Sequence, residues 1–196
     1  MNERVRREES GAQLFTASDI ARFCQVDLKT IHNWSEKGEI RHFRTPGRHL
    51  RFRRLDVLDF LRKYGYPIPQ ALRQGKPKVV VIDEDPDALA PLRRSLGRRF
   101  EVSAFVDPFE GLVSLAATQP DALIVDVTMT AMDGVKLLTR LRAIALTAHI
   151  RTIAYATLDA KRRAALEAAG LEFIAKGSIA QLRESLEQLT GLEKAE

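Results

Sequence analysis

Acidic side chains follow two strand-like runs in the second half of the sequence, and a lysine follows a third. Asp83, Glu84 and Asp85 come directly after "KVVVI", Asp126 follows "DALIV", and Lys176 follows "LEFIA". Carboxylates gathered in a half-buried crevice repel one another and ionise together only beside a cation. Oxygen ligands favour a hard ion, and Mg2+ needs only one or two carboxylates and a phosphate oxygen. The set predicts phosphoryl transfer onto an aspartate beside a divalent metal, with the lysine pairing with the phosphate or with Asp126.

The elements that would position these residues alternate in type from residue 78 onward. Apolar or β-branched runs such as "KVVVID", "EVSAFV" and "RTIAYAT" are separated by segments with helical spacing, such as "GVKLLTRLRAIAL". Five strand-helix units in succession predict an α/β fold, a doubly wound five-stranded parallel sheet covered by helices on both faces. In such a sheet, chemistry gathers at the carboxyl ends of the strands.

Three motifs of this half resemble the receiver domains of bacterial response regulators: "VVVIDEDP", "PDALIVDVTMTAMDG" and "FIAKG". The resemblance covers roughly residues 77 to 190 and implies a CheY-like fold. It implies that Asp126 is the phosphoacceptor and that a sensor histidine kinase is its partner.

The same resemblance implies a set of ligands around the phosphoacceptor. Mg2+ would be held by Asp83, Glu84, Asp126 and the backbone carbonyl of Thr128. Lys176 would contact the phosphate.

Three positions depart from the usual receiver pattern. Receivers usually carry proline where Thr130 and Gly177 stand, and serine or threonine at the end of the fourth strand. Aligned from the strand start, that hydroxyl position falls on Ala156, with Thr157 next along. We name Thr157 as a candidate phosphate contact. If the position is Ala156, the phosphate loses one hydrogen-bond donor, and its coupling to conformation is expected to be weaker.

The first part of the sequence contains two short helical patterns joined by a tight turn, in "TASDIARFCQVDLKTIHNWSEKGEI". Thr16 or Ser18 is placed to cap the first helix and Asp27 the second. Two such helices predict a helix-turn-helix, whose second helix enters a major groove of double-stranded DNA. The residues expected to face outward from the second helix are Lys29, Thr30, His32, Asn33 and Lys37.

A basic hairpin is predicted directly after these helices. The stretch "RHFRTPGRHLRFRR" contains six arginines, two histidines and no acidic residue, and Pro46-Gly47 marks its turn. Residues 1 to 75 hold 15 basic and 9 acidic residues, net +6, whereas the rest of the chain is net −1. A cationic hairpin in a basic segment favours phosphate contacts along DNA.

This stretch resembles the small winged helix-turn-helix of the MerR and excisionase type, most closely the BldC-like group. The resemblance is carried by "LFTASDIARFCQVDLKTIHNWSEKGEI" and "RTPGRHLRFRRLDVLDFL", over about residues 14 to 64. By that resemblance the wing contains Arg44, Arg48, His49 and Arg51. A receiver follows where a MerR protein would carry its effector-binding domain.

The prolines and glycines of "GYPIPQALRQGKPK" predict a boundary between the two parts. The predicted organisation is a flexible tail at 1–13, a winged helix-turn-helix at 14–66, a linker at 67–77 and a receiver at 78–190. The single cysteine excludes an internal disulfide. No apolar run approaches the length of a membrane span, and the amino terminus lacks the apolar core of a signal peptide, so a cytoplasmic protein is expected.

Together these features predict a transcription regulator without enzymatic turnover, whose receiver, phosphorylated on Asp126, modulates DNA binding or assembly. An alternative is a phosphate-independent pseudo-receiver that localises or oligomerises a DNA-binding head. A third, a haloacid-dehalogenase-like phosphatase, fits "VVVIDEDPD", but no second acidic motif follows Lys176. Self-association stays open, because Leu182, Leu186 and Leu189 are needed equally to cover the sheet.

Overall fold

The chain divides into two compact units, Met1–Gly75 and Lys76–Glu196. A computed structural model describes residues 14–73, 75–144, 147–157 and 159–192. The tail predicted at residues 1–13 lies outside the described residues. Within these ranges, none of the helices has the length and apolarity that a bilayer crossing requires.

The first unit combines short helices with a small antiparallel sheet. Its elements in chain order are β1 (Leu14–Thr16), α1 (Ala17–Cys24), α2 (Leu28–Glu36), β2 (Phe43–Arg44), β3 (Leu50–Arg53), α3 (Arg54–Lys63) and α4 (Gln70–Arg73). The strand order is β1-β3-β2, and both pairings are antiparallel. The strand β1, which directly precedes the helix-turn-helix, pairs with β3 of the hairpin and so connects the two. The periodicity of the sequence did not indicate this strand.

Both helices of the helix-turn-helix begin at side-chain caps. Thr16 and Asp19 form a reciprocal capping box at the start of α1, and Asp27 accepts a hydrogen bond from Thr30 N at 2.7 Å at the start of α2. Thr16, rather than Ser18, is the first cap. The capping box and the single cap each satisfy backbone N–H groups that a helix start leaves without partners.

The predicted inner faces of these helices pack into one core. Ile20, Ala21, Cys24 and Ile31 are buried, and Trp34 is half-buried against the same cluster. Burial raises the pKa of Cys24 to about 11, so its thiol stays protonated at neutral pH.

The structure corrects the linker predicted at residues 67–77. Pro67 and Pro69 do not end the first unit, because α4 follows them and Leu72 is fully buried in the first core. The buried Arg54 also donates from Nε to the carbonyl of Leu72 at 2.9 Å. Proline is compatible with the start of a helix, where its missing N–H has no partner to lose.

The second unit is an open sheet with helices on both faces. Its elements in chain order are β4 (Lys78–Ile82), α5 (Pro86–Leu96), β5 (Glu101–Phe105), α6 (Pro108–Thr118), β6 (Ala122–Val125), α7 (Gly134–Ala143), β7 (Arg151–Ala156), α8 (Ala160–Ala168), β8 (Glu172–Ala175) and α9 (Ile179–Thr190). The strand order is β5-β4-β6-β7-β8, and all pairs are parallel. The predicted doubly wound five-stranded parallel sheet is confirmed.

Alternate residues of the central strands face opposite cores. Val80 and Ile82 pack with residues of α6, α7 and α8, whereas Val79 and Val81 pack with residues of α5 and α9. Both faces are covered, so the strands are continuous apolar runs. In α9, Leu182 and Leu186 are buried and Leu189 packs against the same core, so these three leucines cover the sheet.

We predict that Leu72→Ala lowers the free energy of unfolding of the first unit by about 2 to 5 kcal/mol, because it leaves a cavity in the core. The change should appear in urea denaturation followed by fluorescence of Trp34, whose ring lies 5.2 Å from that of Phe60. Leu28→Ala, at a residue that is 48% exposed, is the control and should change stability by less than about 0.5 kcal/mol. Equal effects would show that α4 does not stabilise this core.

Candidate functional site

The predicted acidic residues meet because their strands are neighbours in register. Ile82 in β4 pairs with Val125 in β6, so Asp83 and Asp126 follow side by side. The ladder continues one residue further, since Asp126 N donates to Ile82 O at 2.9 Å. Both side chains are buried, at 2% and 6% exposure. The carboxyl edge of the sheet therefore holds two adjacent buried carboxylates.

Lys176 supplies the positive charge for this pair. Its Nζ lies 2.6 Å from Asp126 Oδ2 and 2.8 Å from Asp83 Oδ2. The first contact is a hydrogen bond, and the second is an ion pair with the buried carboxylate of Asp83. Lys176 follows β8, two strands from β6, so its side chain crosses the end of β7. The three residues form one cluster with two negative charges and one positive charge.

Burial and charge act in opposite directions on these groups. Burial raises the pKa of Asp83, and the Lys176 ammonium and the N–H of Asp85 only partly offset it. Burial also lowers the pKa of Lys176, but the two carboxylates together outweigh this, and the net shift is upward. The lysine therefore stays charged, while keeping the buried Asp83 carboxylate ionised costs folding free energy.

The loop after Asp126 is held close to that carboxylate. Thr128 donates to Asp126 Oδ1 from its backbone N, at 2.7 Å, and from its hydroxyl. The next helix starts tightly against the loop, because a Cβ added at Gly134 would lie 2.5 Å from Val127 Cα. Only glycine fits this approach, so Gly134 fixes where α7 begins relative to the loop after Asp126.

The structure does not bring Glu84 into the cluster. Its carboxylate accepts hydrogen bonds from Thr130 N at 2.8 Å, Thr130 Oγ1 at 3.0 Å and Ala131 N at 2.9 Å. The two backbone N–H groups lower the pKa of Glu84. Among the described residues, no three His, Cys, Asp or Glu side chains converge where a metal ion could be held. The predicted acidic pair is thus divided, because the loop provides donors that a proline at position 130 would lack.

Gly177 has a structural reason to replace proline. Its φ is +92°, a value that the proline ring excludes, and its N–H donates to the hydroxyl of Tyr155 at 2.9 Å. Tyr155 is buried near the end of β7. Sequence reasoning assigned Tyr155 no role, and the β-strand pattern alone carries no signal for a contact with the residue after Lys176.

The end of β7 presents no hydroxyl from within the strand. Ala156 is its last residue, is fully buried and pairs with Ala175, directly before Lys176. Thr157 follows the strand and is exposed. The side chain that terminates the strand is therefore a methyl group, and a phosphate contact by Thr157 stays a prediction.

The predicted outward residues of α2 lie on its surface. Lys29, His32 and Asn33 are exposed, and Thr30, whose N–H donates to the cap at Asp27, is half-buried. This face of α2 presents donors and a positive charge to the surroundings.

The hairpin forms a wing with a tightly bonded tip. Thr45 N donates to His49 O at 3.0 Å, and Arg48 N donates to Thr45 O at 2.7 Å. Arg44 Nη1 donates to the carbonyl of Arg48 at 3.0 Å, and Arg48 has a φ of +62°. Arg44, Arg48 and His49 are exposed and Arg51 is half-buried. Arg44 thus holds the tip as well as presenting charge, a role that the sequence did not indicate.

Comparison with known families agrees with this geometry. A profile described as the response regulator receiver domain matches residues 79–187, more than half of the chain. The chain belongs to the response regulators. A profile described as a helix-turn-helix domain matches residues 14–65 of this response regulator. The predicted receiver and the predicted helix-turn-helix are both confirmed.

The response regulator also resembles individual curated proteins. It is 37% identical over 103 residues to the transcriptional regulatory protein PrrA of Mycobacterium leprae (strain TN), a match covering 52% of this chain and 44% of that one. It is 36% identical over 67 residues to the response regulator MprA of Mycobacterium avium (strain 104), covering 34% and 29%. These matches span less than half the length of the relatives.

Solved structures share the fold of the second unit. The receiver domain of a DNA-binding response regulator (merR) from Colwellia psychrerythraea 34H superposes with a TM-score of 0.53 and 23% identity, covering 59% of this chain and 99% of that one. A response regulator receiver protein from Burkholderia phymatum gives 0.51 and 27%, covering 60% and 98%. Similarity at this level supports the fold.

We predict that Asp83→Asn stabilises the second unit by about 1 to 2 kcal/mol without divalent cations, because it removes a buried charge while Lys176 keeps Asp126. Amide hydrogen exchange of peptides covering β4 and β6 would measure this. Asp85→Asn is the matched control, since Asp85 is exposed and asparagine caps α5 equally well. A loss of protection in Asp83→Asn alone would show that the Asp83–Lys176 pair is net stabilising.

Proposed function

We propose that this response regulator binds double-stranded DNA through its first unit, and that Asp126 accepts a phosphoryl group that modulates DNA binding or assembly. The observation that carries the receiver half is the contact of Lys176 with both Asp126 and Asp83. A buried carboxylate beside a lysine and a second carboxylate suits a phosphorylated state, because the lysine can pair with either the carboxylate or the phosphate. The proposed phosphoryl donor is a sensor histidine kinase.

In the proposed reaction an Asp126 oxygen attacks the phosphorus of a phosphohistidine. The new O–P bond forms as the P–N bond breaks, and the released imidazole takes up a proton. Asp126 Oδ1 is already held by Thr128, which fixes the carboxylate plane. Lys176 would exchange its bond to Oδ2 for a phosphate oxygen, and its raised pKa keeps it charged for that contact.

We propose that two carboxylates and one carbonyl oxygen would hold a magnesium ion beside Asp126, since Mg2+ needs only one or two carboxylates from the protein. Asp83 Oδ2 is buried and is paired with the Lys176 ammonium at 2.8 Å, a positive charge that a bound cation would replace, and the proposed ligands are all oxygens, as Mg2+ prefers. Asp83, Asp126 and the carbonyl of Thr128 would hold the ion, which would neutralise charge on the phosphoryl group. Glu84 would join them only after releasing Thr130 and Ala131, so these hydrogen bonds oppose its participation.

Weak coupling between phosphate and conformation is part of the proposal. A ligand shifts a two-state equilibrium only by making different contacts in the two states. Ala156 ends β7 with a methyl group, so the strand itself offers the phosphate no hydroxyl, and such a contact would have to come from Thr157 beyond it. This observation also favours the second candidate function, a pseudo-receiver that localises or oligomerises the DNA-binding unit without phosphate.

The DNA-binding half rests on two basic surfaces. The outer face of α2 carries Lys29, His32 and Asn33, and the wing carries Arg44, Arg48, His49 and Arg51. A recognition helix reads base edges in the major groove, while arginines on a wing neutralise phosphates. The control of transcription by this binding is the proposed biological output.

We predict that Asp126 gains one phosphoryl group from acetyl phosphate and Mg2+, measured by intact mass, and that Asp126→Ala gains none. Asp133→Asn is the control, because Asp133 is exposed, asparagine keeps the cap that it provides at the start of α7, and labelling should be unchanged. We expect the DNA affinities of the two forms to differ by less than a typical allosteric coupling of about 1 to 3 kcal/mol.

Unlabelled wild type, or equal labelling of Asp126→Ala, would exclude Asp126 as the acceptor. A hundred-fold difference in DNA affinity between the two forms would instead show strong coupling and would assign the missing hydroxyl to Thr157 or another group. Identical affinity in both forms, with labelling intact, would favour the phosphate-independent module.

We predict that Arg48→Ala and Arg51→Ala each weaken binding to all DNA sequences similarly and reduce the salt slope by about one unit, because each removes a phosphate contact. Asn33→Ala on α2 should instead change sequence preference, since asparagine reads adenine. Fluorescence anisotropy over a salt series measures both effects. Arg140→Ala, an exposed arginine of α7, loses the same charge and is the control. An unchanged slope in both wing variants would remove the wing from the interface.

A further inference from the structure

Leu28 is an exposed apolar side chain that the fold does not use. It is the first residue of α2 and is 48% exposed, and it is absent from the residues packed on the first core. Val26 and Ile31, on either side of it, supply the apolar contacts that anchor the start of α2. The helix therefore has its hydrophobic anchor without Leu28.

Leu28 also differs from the other exposed large apolar residue of the described first unit. Tyr64 is 45% exposed, but its hydroxyl donates to Glu39 and its ring packs 4.9 Å from that of Phe60. Leu28 has no polar group with which to contact water, so its side chain gains free energy wherever a binding partner covers it with an apolar surface.

The position of Leu28 indicates where that surface would lie. The amino-terminal residues of a recognition helix are the ones that contact base edges. Leu28 and His32 are four residues apart on α2, and both are exposed, so they share one outward face. Lys29, next to Leu28, adds a positive charge that would hold this end of the helix at a phosphate backbone.

We propose that Leu28 contacts the C5 methyl group of a thymine in the major groove and so determines sequence preference at that base pair. This inference rests on the proposed DNA binding. The thymine methyl is the apolar group that the edges of the four base pairs offer in that groove. Leucine cannot hydrogen-bond, so it gains from that methyl and from no other feature of the base edges. Cytosine presents an amino group there and leaves Leu28 exposed.

The test removes the methyl group and nothing else. Sites are first selected from randomised duplexes with the full chain, and each thymine of a selected site is then replaced by deoxyuridine. We expect one replacement to weaken wild-type binding about three- to tenfold, as the loss of one buried methyl contact predicts. Leu28→Ala should bind the thymine and deoxyuridine forms of that position equally, whereas Leu28→Met should keep the preference.

Alanine at position 28 preserves the helix, because the site is exposed and alanine is the best helix former. Val113→Ala, at a residue of the second unit that is 76% exposed, is the matched control and should keep the wild-type preference. A wild type that tolerates every deoxyuridine overturns the inference while DNA binding stands. A preference that persists in Leu28→Ala overturns it too, because another residue then reads the methyl.

Two further outcomes separate this inference from the proposed function. If no duplex is selected, DNA binding itself fails, and the reading of thymine fails with it. If Leu28→Ala keeps the wild-type base preference but loses self-association in sedimentation velocity, Leu28 is a protein contact, and the inference is wrong.

Discussion

The ammonium group of Lys176 is the interaction on which the second unit's site depends. Two buried carboxylates on adjacent strands would repel each other strongly, and in the described chain this lysine is the cation that contacts both. The contact requires β4, β6 and β8 to end at the same edge and β7 to end between them in a small residue, Ala156. The cluster keeps one negative charge in excess. This excess negative charge favours binding of a cation beside Asp126, which would change the net charge of the cluster.

Two departures from the usual receiver sequence are explained by backbone N–H groups that proline lacks. Thr130 donates from its N–H and its hydroxyl to Glu84, and Gly177 donates from its N–H to Tyr155. The first bond draws Glu84 away from the other two carboxylates. The second ties the residue after Lys176 to the neighbouring strand. Both bonds connect the site to its loops. With the methyl group of Ala156, they mean that the contacts around Asp126 differ from those of a receiver that carries proline at positions 130 and 177 and a hydroxyl at the end of the fourth strand.

The first unit presents its basic side chains from a small but well-packed support. A capping box and the cap at Asp27 fix where α1 and α2 begin, and the Arg54–Leu72 hydrogen bond joins the end of the unit to its core. At the wing, Arg44 bonds the carbonyl of Arg48, which adopts an uncommon positive φ. This hydrogen bond restricts the Arg44 side chain and orders the tip of the wing, so the positive charges of the wing have defined positions.

Local patterns in the sequence were enough to predict the doubly wound sheet and the helix-turn-helix, with a first cap at Thr16 or Ser18 and a second at Asp27. They also predicted the strand ends that carry Asp83, Asp126 and Lys176. Periodicity and capping depend on residues within a few positions of one another, so they can be predicted from a single sequence. Partner choice is not local. Lys176 meets Asp126 across 50 residues, Glu84 meets Thr130 across 46, and Arg54 meets Leu72 across 18. Only the tertiary structure decided that Glu84 leaves the acidic pair and that α4 belongs to the first core, because a side chain bonds whichever donor or cavity the folded chain places beside it.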